Sequence, residues 1–441
     1  MPILTRRRFI HSTAAALPVL AWPATLEALQ RTVTTDPWTR AGAIVRGITV
    51  PRFPPRDFAI TTFGAVGDGR ALCTDAIAKA IAACRAAGGG TVVVPDGRFV
   101  TGAVRLESGV NLHLADKATL AFSRDARHYL PIVFTRWEGV ELMNYSPFIY
   151  AFEAENIAIT GRGTLDGQAD ADNWWNWRGT GPSTSARQTA ARTRLIEMQA
   201  TGVPVAERIF GEGHFLRPNF IQPYRSRNIL IDGVTIVNSP MWEIHPVLCQ
   251  SVTVRNVSIN SHGPNNDGCD PESCRGVLID GCTFDTGDDC IALKSGRNDD
   301  GRRVNVPVEN VVIRNCTMKD GHGGVVIGSE ISGGARNVFA ERCRMDSPQL
   351  DRALRIKTNS VRGGVVEGIY MRDVEVRNVT SRKSQYVLLL RGYPHDPISG
   401  VRIVDCTFDG VEKPDLLENV KDIELANVRV NGKLVNERIS R

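Results

Sequence analysis

Apolar and polar positions recur in one pattern from about residue 228 onward. A small or polar residue opens each copy, a β-rich stretch follows, then a turn residue and a second short apolar pair. The copies are NILIDGVTI from Asn228, SVTVRNVSI from Ser251, GVLIDGCTF from Gly276 and NVVIRNCTM from Asn310. They continue as NVFAERCRM from Asn337, GIYMRDVEV from Gly368, GVRIVDCTF from Gly400 and DIELANVRV from Asp422. Successive starts fall 22 to 34 residues apart. Val/Ile-rich strands at such a period predict a solenoid of stacked β-coils, and most copies have no room for a helix. A parallel β-helix is the expected outcome. The residue before the second apolar pair is Gly233, Asn256, Gly281, Asn315, Asp373, Asp405 or Asn427. These types tolerate the left-handed backbone of a sharp corner, and Arg342 is the exception.

Ahead of the repeats, an Ala-rich stretch predicts a short helix over residues 75–87, capped by Thr74 or Asp75 and stopped by Gly88, Gly89 and Gly90. A solenoid exposes core and strand edges at its end, and this helix is the expected cap. The segment of about residues 168–227 falls outside the repeat and carries Trp174, Trp175 and Arg217. It is expected either to wall off one end of a groove or to form a surface loop. Residues 1–24 hold Arg6-Arg7-Arg8-Phe9 before a short apolar run, the pattern of an export signal of twin-arginine type. The chain is therefore expected in the periplasm or outside the cell. Residues 25–56 form an N-terminal extension and residues 57–441 the β-helix.

Composition narrows the picture. Of 441 residues, 42% are hydrophobic and 23% charged, which excludes a largely disordered chain. No apolar run approaches the roughly 18 residues of a membrane span, so no membrane anchor is expected. The length would suit two or three ordinary domains, but one long solenoid can use it. The net charge of +5 falls to +2 without Arg6, Arg7 and Arg8, and no nucleic-acid module is present. Cys282, Cys316, Cys343 and Cys406 share a repeat position with Val234, Val257, Val374 and Val428. Cysteine exchanging with valine acts as a small buried hydrophobe, so mostly free thiols are expected. Cys269, Cys274 and Cys290 are the candidates for pairing. No zinc-knuckle spacing occurs.

Polar clusters follow the strand pairs of consecutive coils. They are Asn265-Asn266-Asp267-Gly268, Gly287-Asp288-Asp289, Gly321-His322-Gly323 and Arg355-Ile356-Lys357. Roughly matched offsets place them on one flank, with coils about 4.8 Å apart. Arg355 and Lys357 alternate with Ile356, so both should point outward. Asp288 and Asp289 can serve one site only if the chain turns, which Gly287 permits. Close carboxylates separate their pKa values, the requirement of acid/base glycoside hydrolysis, and neighbouring cations suit an anionic sugar. Lys294 and Arg297, with Arg302 and Arg303, lie just beyond the acids, as sugar-binding residues or as a solvated loop.

These four ordered motifs resemble those of the polygalacturonases of glycoside hydrolase family 28, over about residues 57–430. The resemblance implies an all-β, right-handed single-stranded parallel β-helix with its short N-terminal capping helix. It implies hydrolysis of α-1,4-linked galacturonic acid with inversion and without metal or other cofactor. The substrate would be a pectic polysaccharide or oligogalacturonide and the enzyme a monomer. Asp288 becomes the general acid, Asp267 and Asp289 hold and activate the water, and His322 supports the acid. Arg355, Lys357 and Tyr393 bind the sugar. An inverting pair is expected about 6.5–9.5 Å apart. Asn266 stands where the family has Thr, a departure resembling bacterial exo-acting members. Hydrolysis of rhamnogalacturonan or another substituted pectin, calcium-dependent lysis and non-catalytic adhesion are the alternatives.

Overall fold

The computed structural model describes residues 36–178, 187–347, 349–377, 387–392, 394–395 and 397–439. The expected export signal and Tyr393 lie outside the described residues. Each repeat copy folds into two strands meeting at a corner. The strands Arg227–Asp232, Gln250–Arg255, Arg275–Asp280 and Val308–Arg314 pair in parallel, each on the next coil. Their partners Thr235–Val237, Ser258–Ser261, Thr283–Thr286 and Thr317–Asp320 stack likewise. A third face runs through Ile291–Leu293, Val325–Ile327, Leu354–Lys357, Leu388–Arg391 and Leu416–Glu418. The result is a right-handed parallel β-helix.

The corners explain the sequence pattern. Gly233, Asn256, Gly281, Asn315, Asp373, Asp405 and Asn427 all have positive φ, and Arg342 adopts it too at 51°. The opening residues of the copies, from Asn228 to Asp422, are also left-handed. Asparagines at these corners bond along the stack: Asn228 donates to Asn156 at 2.9 Å and Asn337 to Asn310 at 3.0 Å. Inside, Val234, Val257, Cys282, Cys316, Cys343, Val374, Cys406 and Val428 form one buried column. All ten cysteines are free and buried.

The capping helix spans Thr74–Ala86 and buries Ile77, Ala80, Ile81 and Cys84 against the first coils. Its N-cap is Cys73, without a side-chain cap, in place of the expected Thr74 or Asp75. Thr74 is diverted: its hydroxyl accepts from the Gly102 amide at 2.7 Å. The strand Lys433–Ile439 folds back antiparallel on Val420–Val430 and closes the other end. In the extension, helix Pro37–Gly47 packs Trp38 and Ala41 on Leu278, Val312 and Phe339 of the first-strand sheet.

The segment expected wholly outside the repeat is partly a coil, since Ile221–Tyr224 pairs in register with Ile149–Phe152. Between them, helix Arg187–Ala200 packs with hairpin strands Val133–Trp137 and Val140–Asn144. Trp137, Leu142, Leu195, Met241 and Trp242 form their common core. This insertion covers the outer side of the third face ahead of the acidic coils.

Candidate active site

Asp267, Asp288, Asp289, His322, Arg355 and Lys357 converge on the third face. One carboxylate oxygen from each of Asp267, Asp288 and Asp289 lies within 4.8 Å of the others. This is closer than the expected inverting separation, because adjacent coils stack these turns directly on one another. Gly287 does permit the arrangement, but through close approach: a Cβ there would sit 2.4 Å from the Gly263 carbonyl oxygen. Gly321 is similarly pressed, with Asp288 O at 2.6 Å from a Cβ position. Asn266 makes four hydrogen bonds. Its Oδ1 accepts from Gly263 N and Ser261 Oγ, and its Nδ2 donates to Ser239 O and Met241 O. A threonine could not supply this set.

The acids differ in depth. Asp267 is 3% exposed and Asp289 1%, while the Asp288 side chain is partly exposed, at 21%. Asp288 Oδ1 lies 2.9 Å from His322 Nδ1. Burial tends to raise Asp288, but the His322 hydrogen bond and charge, with Lys357 and Lys294, bring it below the usual carboxylate range. His322 is raised in turn by that bond, against its partial burial. Between the two values the proton of the pair therefore rests on His322 and Asp288 is ionised. Asp267 is pushed well up by burial, despite Lys294. Asp289 holds the outward cations, with Lys357 Nζ at 3.5 Å and Arg355 Nη1 at 3.7 Å. Ile356 between them is wholly buried.

Lys294 and Arg297 are not on an open sugar-binding wall. Lys294 is 3% exposed; its Nζ is 3.3 Å from Asp267 and 3.7 Å from Glu330, and 4.2 Å over the Trp242 ring. Burial would lower it, but Asp270, Asp267 and Glu330 keep it charged. Arg297 donates to Glu138 of the hairpin at 2.7 Å. The insertion covers these cations and turns them into counter-charges beneath the acids. Arg302 pairs with Asp299 on the surface, whereas Arg303 reaches the buried Asp300 and Glu141. Trp242 and His245 pack below the site, and His245 Nε2 meets Glu272 at 2.7 Å.

Buried Glu243, Asp270 and Glu330 carried no signal in the sequence. Glu243 and Asp270 are both raised by burial, then by nearby carboxylates. On the far side of the acids, Arg352, Arg355, Lys357, Asn359, Arg391 and Glu418 line a pocket of about 560 Å³. Its charge is mainly positive. The buried Arg355 Nε has no acceptor among the described residues.

The family model for glycosyl hydrolases family 28 matches residues 212–426, which contain all of these turns. A solved hyperthermoactive exopolygalacturonase from Thermotoga maritima is 40% identical. That match covers 91% of this chain and 98% of the other, with a TM-score of 0.82. The chain belongs to glycosyl hydrolases family 28. Among family relatives, an exo-poly-alpha-D-galacturonosidase of Dickeya chrysanthemi is 30% identical over 74% of this chain and 56% of its own length. A "Probable polygalacturonase" of Vitis vinifera is 29% identical over 86% and 74% respectively. The family chain thus spans only a little over half of the Dickeya protein.

Proposed function

We propose that this protein is an exo-acting polygalacturonase that hydrolyses α-1,4-linked galacturonic acid in pectin or oligogalacturonides. The observation that carries the reading is the cluster of three carboxylates, two recessed and one outward, beside a cationic pocket. Asp288 protonates the leaving glycosidic oxygen with a proton it takes from His322 Nδ1 in the same step, which leaves His322 neutral and Asp288 ionised. Asp267 and Asp289 hold a water and take its proton. Their burial favours a water-sized reagent over direct attack on a sugar carbon, which supports inversion despite the short spacing. Arg355 and Lys357 bind a galacturonate carboxylate, and their place in the lining of the cationic pocket supports this role. Tyr393 is assigned to sugar binding on its motif alone.

Buried Lys294 supplies positive charge within the acid cluster, so hydrolysis needs no metal there. The inserted hairpin and helix cover one end of the third face, which favours attack at a chain end. The basic leader suits export to the periplasm or beyond. Among the described residues no helix is long and apolar enough to cross a membrane.

Product analysis on polygalacturonate tests the reading. Monomer or dimer from the outset, with slow viscosity loss and indifference to chelator, is expected. Random oligomers would overturn exo action. Unsaturated product lost on chelation would make the enzyme a lyase, and binding without turnover an adhesin. NMR of fresh product should show the inverted anomer.

A further inference from the structure

The inserted helix and the turn carrying Asp267 meet through one guanidinium. Arg217 is 0% exposed. Its Nε donates to Gln188 Oε1 at 3.0 Å, and Nη1 donates to Pro240 O at 2.8 Å and Pro264 O at 2.7 Å. Nη2 donates to Asn265 Oδ1 at 2.7 Å. Every one of these acceptors is neutral. Burying a cation without a directly paired carboxylate is unfavourable unless its hydrogen bonds are well satisfied, as these are. Burial lowers Arg217 to about 9, which still leaves it charged at neutral pH.

The four acceptors come from three places. Gln188 belongs to helix Arg187–Ala200, Pro240 to the preceding coil, and Pro264 and Asn265 to the turn that ends in Asp267. Trp175 grips the same turn separately. Its Nε1 donates to Ser239 O at 2.8 Å, the carbonyl that also accepts from Asn266 at 3.0 Å. Its ring lies 2.2 Å from where a Cβ of Gly263 would be. The turn is therefore clasped from two points of the inserted segment.

We propose that Arg217 is a positioning residue for the hydrolysis, locking the Pro264–Asp267 turn to the inserted helix and placing a fixed positive charge on the Asp288 side of the site. The inference rests on the reading of Asp267 as a water-activating base. A wall that only blocked the groove would need no such link. A displacement of about 1 Å at a reacting group can lower a rate by about 100-fold, so a small slip of this turn is enough to matter. Charges also act on the turn from other elements. Lys294, Asp288, Asp289 and Lys357 act on Asp267, while Glu138, Arg178 and Asp288 act on Arg217.

The test uses the full-length enzyme on oligogalacturonide, with kcat, KM, pH profile and Tm measured for Arg217→Gln, Arg217→Lys and Gln188→Leu. Arg217→Gln should lower kcat about 100-fold with KM within about threefold, and move the basic limb of kcat/KM, set by the Asp288 pair, to higher pH. Arg217→Lys keeps the charge but not the fork, so it should restore the basic limb while kcat stays low. Gln188→Leu should lower kcat less and leave the limb in place. A lower Tm with normal kcat and pH profile at a temperature where the variant is folded would reduce Arg217 to a structural role. A change in KM alone would make it a binding residue. Either result overturns the inference while the hydrolase reading stands, and absence of wild-type turnover overturns both.

Discussion

Lys294 Nζ sits 3.3 Å from Asp267 Oδ2, and both side chains are almost wholly removed from solvent. Breaking one side of a buried ion pair leaves the other charge uncompensated, at about 3–5 kcal/mol. Lys294→Met should therefore lower stability by several kcal/mol, read by denaturant unfolding. Asp267 would also lose a charge that favours its ionised form. The acid limb of the rate profile should then move to higher pH in whatever fraction remains folded.

Asp288→Asn removes the outward acid while keeping its shape. Activity should fall by at least about 100-fold, the usual scale for a lost general acid. Substrate affinity should change little. His322 should lose its upward shift, because the Asp288 hydrogen bond is its main cause. An NMR titration of the imidazole reads this directly. An imidazole that stays raised in the variant would separate His322 from the acid's protonation.

The same pair makes stability depend on pH with a defined sign. The lowered Asp288 stabilises the fold above about pH 4, and that contribution is lost as pH falls through its folded value. The raised His322 stabilises below about pH 6.5, and its contribution is lost as pH rises through its folded value. His322→Gln should therefore lower Tm most between those limits. The deficit should shrink on both sides. A deficit constant from pH 4 to 9 would show that the bond contributes nothing through charge.

Arg355→Leu removes a cation that lines the positive pocket beside the acids. A charge-assisted hydrogen bond contributes about 1.5–3 kcal/mol, which corresponds to roughly 10–100-fold in KM. The effect should be larger on galacturonate oligomers than on their methyl esters, which lack the anionic carboxylate. Equal losses on both substrates would remove Arg355 from carboxylate recognition.

Free buried thiols should leave the protein indifferent to reductant. Tm with and without dithiothreitol should agree, and native protein should react slowly with thiol reagents. Cys282→Val should cost less than about 1.5 kcal/mol, since valine already fills that column at Val234 and Val257.

The coils from Asn228 onward were legible because each corner needs a left-handed residue, and Asn, Asp and Gly mark those corners. The left-handed residue opening each copy was visible only as a small or polar start. Earlier strands such as Gly90–Val94 and Val110–Leu114 lack the paired-corner signature and escaped the repeat. The acidic turns were legible from order and offset. The surroundings of Lys294 and Arg297 were not. Glu138 meets Arg297 across 159 positions of sequence, and only the folded insertion brings them together. A lysine followed by arginines ordinarily reads as solvent-facing, and burial reverses that reading. Thr74 shows a smaller version of the same limit, since tertiary bonding to Gly102 drew it away from the helix start.

From Asn228 onward each coil uses the same two left-handed corners, while the inserted segment enters between the second strand of the preceding coil, Thr164–Asp166, and that coil's third face, Ile221–Tyr224. Chain added there leaves the axial register of the stack untouched. The wall over the groove is therefore a graftable module. Exchange of residues 167–220 between homologues could reset how much polymer fits without redesigning the scaffold, provided that the incoming piece brings partners for the Pro264–Asn265 turn.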